Sequence, residues 1–167
     1  LVGMWGLANH DDSGIPNNMR FDEFFDYLNQ QHAHTYYPEY LYDNKERVYF
    51  PENAEHFKRE NYSLPSPYDE NGKCLPVGMT DPSKGKYSFD VYAEKSLEFI
   101  RANKDNPFFL YLAYTTPHGP LIVPDLGIYK DENWDIQFKE WAAMITRMDT
   151  EVGKLLALLD ELELDEN

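Results

Sequence analysis

The sequence predicts an α/β domain, part of a mainly parallel sheet sandwiched by helices. Three observations carry this. Residues Phe108–Tyr114 form a continuous apolar run of strand length, as expected of a strand covered on both faces. A helical segment opening at Asp90 precedes it and is stopped by Asn106-Pro107, because proline disfavours a helical residue before it. A second helix follows, with Phe138, Trp141, Ile145, Met148, Val152, Leu155, Leu159 and Leu162 at steps of three and four. Helix, tight stop and buried strand make half of a βαβ unit.

Taken in order, Leu1-Val2-Gly3 reads as the end of a buried strand entering a glycine turn. Residues 1–20 are turn-rich, with Gly3, Gly6, Asn9, Asp11, Asp12, Gly14, Pro16 and the Asn17-Asn18 pair. Phe21, Phe24, Phe25 and Leu28 are spaced for one face of a short helix. An aromatic and histidine cluster, His32-Ala33-His34-Thr35-Tyr36-Tyr37-Pro38, shows no clean period. Residues 43–88 are polar and broken by five prolines, so a long irregular insertion is expected there. Short strands fit within it around Arg47–Phe50 and Tyr87–Phe89. Asp90 then serves as N-cap of a helix with Val91, Ala93, Leu97 and Ile100 along one side. The 141–162 helix is expected to lay its apolar stripe on the sheet containing Phe108–Tyr114.

Composition narrows the function. The 167 residues are 42% hydrophobic and 16% aromatic, enough for a core. Thirty acidic residues against fifteen basic ones leave a net charge of −15, which opposes binding to a phosphate backbone. No apolar run approaches the ~18 residues of a membrane span. A single cysteine, Cys74, excludes an internal disulfide and a Cys-rich zinc site, and it has no histidine neighbour in sequence to activate it.

His118 is the leading chemical candidate. It follows the predicted buried strand, in a loop stiffened by Pro117 and Pro120, where ligands of open α/β sheets collect. It is placed to donate to an anionic oxygen, to shuttle a proton, or only to cap backbone groups. His32 and His34 would share one face of a strand, but lack the further ligands of a zinc site. They pack among Tyr36, Tyr37 and Tyr40, or line a carbohydrate-sized cleft. Asp11 and Asp12 read as solvated turn residues, and the acidic run from Asp160 to Glu166 as a solvated helix end. No Gly-rich phosphate loop and no G-x-S-x-G elbow is present.

Several segments resemble the formylglycine-dependent sulfatases of the alkaline-phosphatase superfamily. Leu1-Val2-Gly3-Met4-Trp5-Gly6-Leu7 is similar to the family's L-V-G-K-W-G/H-L-G. Pro16-Asn17-Asn18 with Phe21–Phe25 and Tyr27-Leu28 is similar to P-x-x-x-G-F-D-x-F-x-G-Y. Ala33–Pro38 resembles A-H-x-Y-Y-P, and Pro107–Tyr114 with Pro117-His118-Gly119-Pro120 resembles the family's P-F-F-L-Y strand and P-H-x-P loop. Ala142–Asp149 and Val152-Gly153 resemble the helix before its last metal-binding strand. The matches keep family order across nearly the whole chain.

The resemblance implies that residues 1–167 are an internal part of one sulfatase-like catalytic domain, from a parent that hydrolyses carbohydrate or aryl sulfate esters. It places the nucleophile and the calcium ligands outside these residues, so calcium belongs to the intact parent and none is expected to be fully ligated here. It assigns His118 a sulfate contact and His34 a substrate contact. Met4 stands at the family's lysine, and a thioether brings no charge to the transition state. Arg20 and Asp26 replace expected glycines. The implied partner is a sulfated small molecule or glycan, with the rest of the parent chain completing the fold, and the implied location is periplasmic or secreted. The alternatives are a degenerate, non-catalytic binding module, favoured by Met4, and a phosphoester hydrolase of the same superfamily.

Overall fold

A computed structural model describes residues 1–56, 69–73 and 81–164. Cys74 and most of the proline-rich stretch lie outside them. Five strands form one sheet in the order β4-β3-β2-β1-β5. They are β1 (Val2–Gly3), β2 (Phe25–Asp26), β3 (Tyr40–Asp43), β4 (Glu46–Tyr49) and β5 (Leu112–Ala113). β1 lies parallel to both β2 and β5, while β3 runs antiparallel to β2 and closes a hairpin with β4. The sheet is therefore mixed, with its parallel strands carrying the candidate site. Helices α1 (Pro51–His56), α2 (Ser88–Asn103) and α3 (Ile136–Glu161) complete the fold.

One face of the sheet meets α2. Val2, Phe25 and Tyr27 pack there with Phe89, Tyr92, Ala93 and Met144. The other face is covered by the loop after β1 and its neighbours, through Leu1, Ala8, Ile15, Phe24, Leu28 and Tyr42. This double cover explains why residues 21–28 do not form the expected helix. Residues 24–28 are all buried, so the period of two is invisible and the aromatic spacing mimics a helical face. β2 occupies the segment instead.

Two other expectations are corrected. Tyr87–Phe89 is not a strand but the start of α2, with Tyr87 at the N-cap position and Ser88 N–H donating to Tyr36 O at 2.8 Å. Asp90 consequently lies inside the first turn rather than at the cap, and both its oxygens accept from Arg147 of α3, at 2.6 and 2.5 Å. Within the 43–88 stretch, β4 and α1 are regular structure.

The long helix turns only part of the expected stripe inward: Met148, Leu155, Leu159 and Leu162 pack on the core. Ala143, Met144, Leu155 and Leu158 are buried, whereas Phe138, Trp141, Ile145 and Val152 are 40–57% exposed. Met144 and Met148, and further along Leu155, Leu158, Leu159 and Leu162, share clusters with Leu110, Leu112 and Tyr114. Nor is Phe108–Tyr114 covered on both faces. Phe109 is 77% exposed and Tyr111 48%, while 108, 110, 112 and 114 are half-buried, the alternation of a strand at the sheet's edge.

Candidate functional site

The site begins at Gly3. Its φ is +112°, and a Cβ there would sit 2.3 Å from Ala113 O. Only glycine allows β1 and β5 to approach so closely. The chain then leaves β1 with Met4 N–H donating to Ala113 O (2.8 Å) and Trp5 N–H to Tyr27 O (3.0 Å). Met4 is thereby fixed across the ends of three parallel strands, its side chain packed against the core.

The loop after β5 is held by two buried tyrosines. Tyr36 Oη donates to His118 O at 2.6 Å, with Thr115 O at 3.3 Å. Tyr92 Oη accepts from Thr115 N–H at 3.3 Å and shares a short hydrogen bond with Thr115 Oγ1. Burial raises both the Tyr92 and Tyr27 phenols far above their ordinary value, so the Tyr92 hydroxyl remains neutral. His118 N–H closes the turn on Thr115 O at 3.0 Å. The loop backbone is rigid while the His118 imidazole stays exposed.

Met4, His34 and His118 line one pocket of about 150 Å³, with Gln30, Ala33 and Tyr36 on its walls and Tyr114 and Thr115 behind. The three residues singled out in the sequence therefore meet at the carboxyl ends of β1, β2 and β5, where ligands of open α/β sheets bind. The His34 and His118 rings are 5.5 Å apart, edge to face at 85°. His118 Nδ1 lies 2.5 Å from Gly119 O and His34 Nδ1 lies 2.9 Å from Gln30 O. A carbonyl only accepts, so each Nδ1 carries the proton and each Nε2 is left for another partner. An Nε2 so oriented accepts when the ring is neutral and donates when it is cationic.

His32 departs from the expected pairing with His34. The two lie on a short 3-10 turn, His32–His34, not a strand, and so diverge. The His32 ring packs 5.0 Å from Tyr27 and 4.7 Å from Tyr40, and burial, helped by Arg47, lowers its pKa to about 4. Among the described residues no group of three or more His, Cys, Asp or Glu is placed to hold a metal ion. The donor set for calcium is not found among them. Asp12 caps its own turn by accepting from Gly14 N–H at 3.1 Å.

Sequence reasoning missed the two tyrosine clamps and a second concavity. Tyr36 was visible only as part of an aromatic cluster. Tyr92 gave no signal beyond a helical position, because its partner is 23 residues away.

The fold and this pocket define an α/β scaffold that presents imidazoles at the ends of its parallel strands. The chain matches the sulfatase family along residues 1–167, and it belongs to that family. It is 28% identical to dog N-acetylgalactosamine-6-sulfatase across its whole length, and 28% identical to the human protein of that name. A Klebsiella aerogenes arylsulfatase is 27% identical over 48% of the chain. The chain spans about 28% of the length of each of these relatives. Among solved structures, Ps i-CgsB in complex with k-i-k-neocarrahexaose superposes with a TM-score of 0.63 at 25% identity, covering 97% of this chain and 33% of that one. No described helix is long and apolar enough to cross a membrane.

Proposed function

We propose that the protein to which these residues belong hydrolyses a sulfate ester on a carbohydrate or aryl alcohol. The single observation carrying this reading is the convergence of His118, His34 and the Met4 position in one pocket at the strand ends. Family relatives named as sulfatases of N-acetylgalactosamine and of aryl esters support the substrate class. A neighbour bound to a neocarrahexaose favours a glycan.

In this reading His118, as the imidazolium, donates from Nε2 to a sulfate oxygen, with its ring locked by the Nδ1 bond to Gly119 O. Tyr36 and Tyr92 position it by fixing the loop backbone. His34 lies beside it, facing the alcohol that leaves. Nucleophile and calcium come, by resemblance, from other residues of the intact protein, which acts in the periplasm or outside the cell.

Met4 favours a second reading, a relative that kept the pocket and lost turnover. One assay separates them. With the intact protein and a chromogenic aryl sulfate or a sulfated hexosamine, His118→Ala is expected to lower kcat/KM about 10²-fold or more, the scale of one lost transition-state donor. Met4→Lys is expected to raise it, since a fixed cation favours the anionic transition state. Turnover indifferent to His118→Ala would remove the sulfate-contact role. No turnover from wild type or Met4→Lys, with sulfated ligand still bound, would establish the binding module.

A further inference from the structure

A larger pocket, about 450 Å³, lies between the β3–β4 hairpin and the loops that follow β1 and β2. Arg47, Tyr40, Tyr42, His10, His32 and Glu39 are on its walls. Arg47 is unusual in a chain with twice as many acids as bases. The ion pairs among the described residues leave it without a carboxylate. Its guanidinium lies 4.6 Å from the Tyr40 ring centroid and 5.8 Å from that of Tyr42, and Nε donates to Tyr42 Oη at 3.3 Å. Tyr49 is a further hydrogen-bond partner, and a guanidinium has five donors, so some stay available while the stack holds the group in place. A cation fixed beforehand and lacking a counter-ion loses little freedom when an oxyanion arrives.

The other walls suit a sugar. His10 stacks on Tyr42 at 5.6 Å and has Asp11 at 3.4 Å. His32, its pKa lowered to about 4, brings no charge at neutral pH. Glu39 is the pocket's only lining carboxylate. It is outside ion-pair reach of Arg47 and suits a sugar hydroxyl.

The turn His32–His34 separates this pocket from the His118 site. Gln31 and His32 face one side, Gln30 and His34 the other. Both open at the carboxyl ends of β1 and β2, with a wall one turn thick between them. We propose that the Arg47 pocket is a second anion subsite, taking a further sulfate group on the same glycan whose ester lies at His118. This rests on the sulfatase reading of that site and narrows its substrate to a multiply sulfated oligosaccharide.

Calorimetric titration of the intact protein tests it with three probes: inorganic sulfate, a monosulfated disaccharide, and the same disaccharide with a sulfate on each unit. Wild type is expected to bind the disulfated form about tenfold tighter than the monosulfated one, the scale of one charge-assisted contact. Arg47→Gln should abolish that preference and leave the monosulfated affinity within about twofold. Arg47→Lys, which keeps the charge, should restore part of it, and this also shows that the hairpin has folded. His118→Ala should weaken both disaccharides alike. Equal wild-type affinities, or a preference that survives Arg47→Gln, would overturn the subsite. An Arg47-dependent preference for anions that ignores His118→Ala would support an anion site here and remove the sulfatase reading beside it. Inorganic sulfate binding lost with Arg47→Gln would mean that the pocket recognises the anion itself.

Discussion

Asp26 has a carboxyl group with no exposed surface, its burial offset only in part by the backbone N–H of Tyr27, on backbone at φ 142°. The resemblance marks this position as a glycine, and so does the geometry. Positive φ of this kind costs about 1–3 kcal/mol in a residue with a Cβ. Burial also raises the Asp26 pKa well above 3.8, so the folded chain keeps a proton that the unfolded chain releases. Between those two values the unfolded state binds fewer protons, and stability falls as pH rises, by up to about 1.4 kcal/mol per unit. His32 acts in the opposite sense. Its pKa is lowered from 6.5 to about 4, so stability is lost as pH falls through that window. Asp26→Gly is therefore expected to stabilise the fold and remove the downward slope, while His32→Asn should flatten the rise between about pH 4 and 6.5. Urea unfolding across pH measures both. An Asp26→Gly protein that is less stable and has an unchanged slope would contradict the assignment. Much of the first pocket was legible at this scale. Met4 and His118 each follow a strand, and parallel strands deliver both to one edge. Arg47 was not legible, since its significance lies in the carboxylate it lacks, which only three dimensions reveal.

At the scale of elements, side-chain clamps place the segments that hydrophobic period leaves ambiguous. Asn53 on α1 is fully buried and ties two distant strands of chain together. Its Nδ2 donates to Pro38 O (2.7 Å) and Lys86 O (3.0 Å), and its Oδ1 accepts from Lys86 N–H (2.6 Å). Asn53→Ala removes the partner of the buried Pro38 O and of the part-buried Lys86 N–H and O, and is expected to cost roughly 1–3 kcal/mol in chemical denaturation. The Asp90–Arg147 fork joins α2 to α3 with its groups partly exposed, at 42% and 32%. A double-mutant cycle through Asp90→Asn and Arg147→Gln should give a coupling of about 1 kcal/mol. Coupling below about 0.3 kcal/mol would mean that apolar packing alone sets the helix pair. These clamps explain what the sequence obscured. Asp90 has the residue type of an N-cap and sits near a helix start, but its carboxylate is committed to a helix 57 residues away. Residues 21–28 read as a helix because β2 is buried on both faces. By contrast, the stop at Asn106-Pro107 and the turn after Val2 depend on local backbone chemistry, which the sequence carries directly.

Across the whole molecule, the inward and outward faces of α3 are nearly alike in apolar content. A period of 3.6 shows that a stripe exists without saying which of two stripes meets the sheet. The buried one runs through Ala143, Met144, Leu155 and Leu158. The outer one, Phe138, Trp141, Ile145, Val152 and Leu156, is 40–61% exposed, and Phe109 and Tyr111 on the edge strand add to the open apolar surface. The outer stripe, exposed along one face of α3, is of the kind that marks a surface made for contact. In the sulfatases that this chain resembles, nearly three quarters of the length lies beyond the matched region, as the 28% share implies. We expect further chain to cover α3 and β5 in the intact protein. The 167-residue chain alone should therefore bind a hydrophobic dye and self-associate in sedimentation, and show no turnover of an aryl sulfate with or without calcium. Substituting Trp141→Glu and Val152→Lys together should suppress dye binding and association and leave the helical circular dichroism unchanged, because neither side chain supports the core. The same pair placed in the intact protein should destabilise it, since there the stripe is expected to be buried and each change would strand a charge against apolar neighbours. A monomeric, dye-silent chain, or an intact protein indifferent to the double substitution, would show that α3 faces solvent in both.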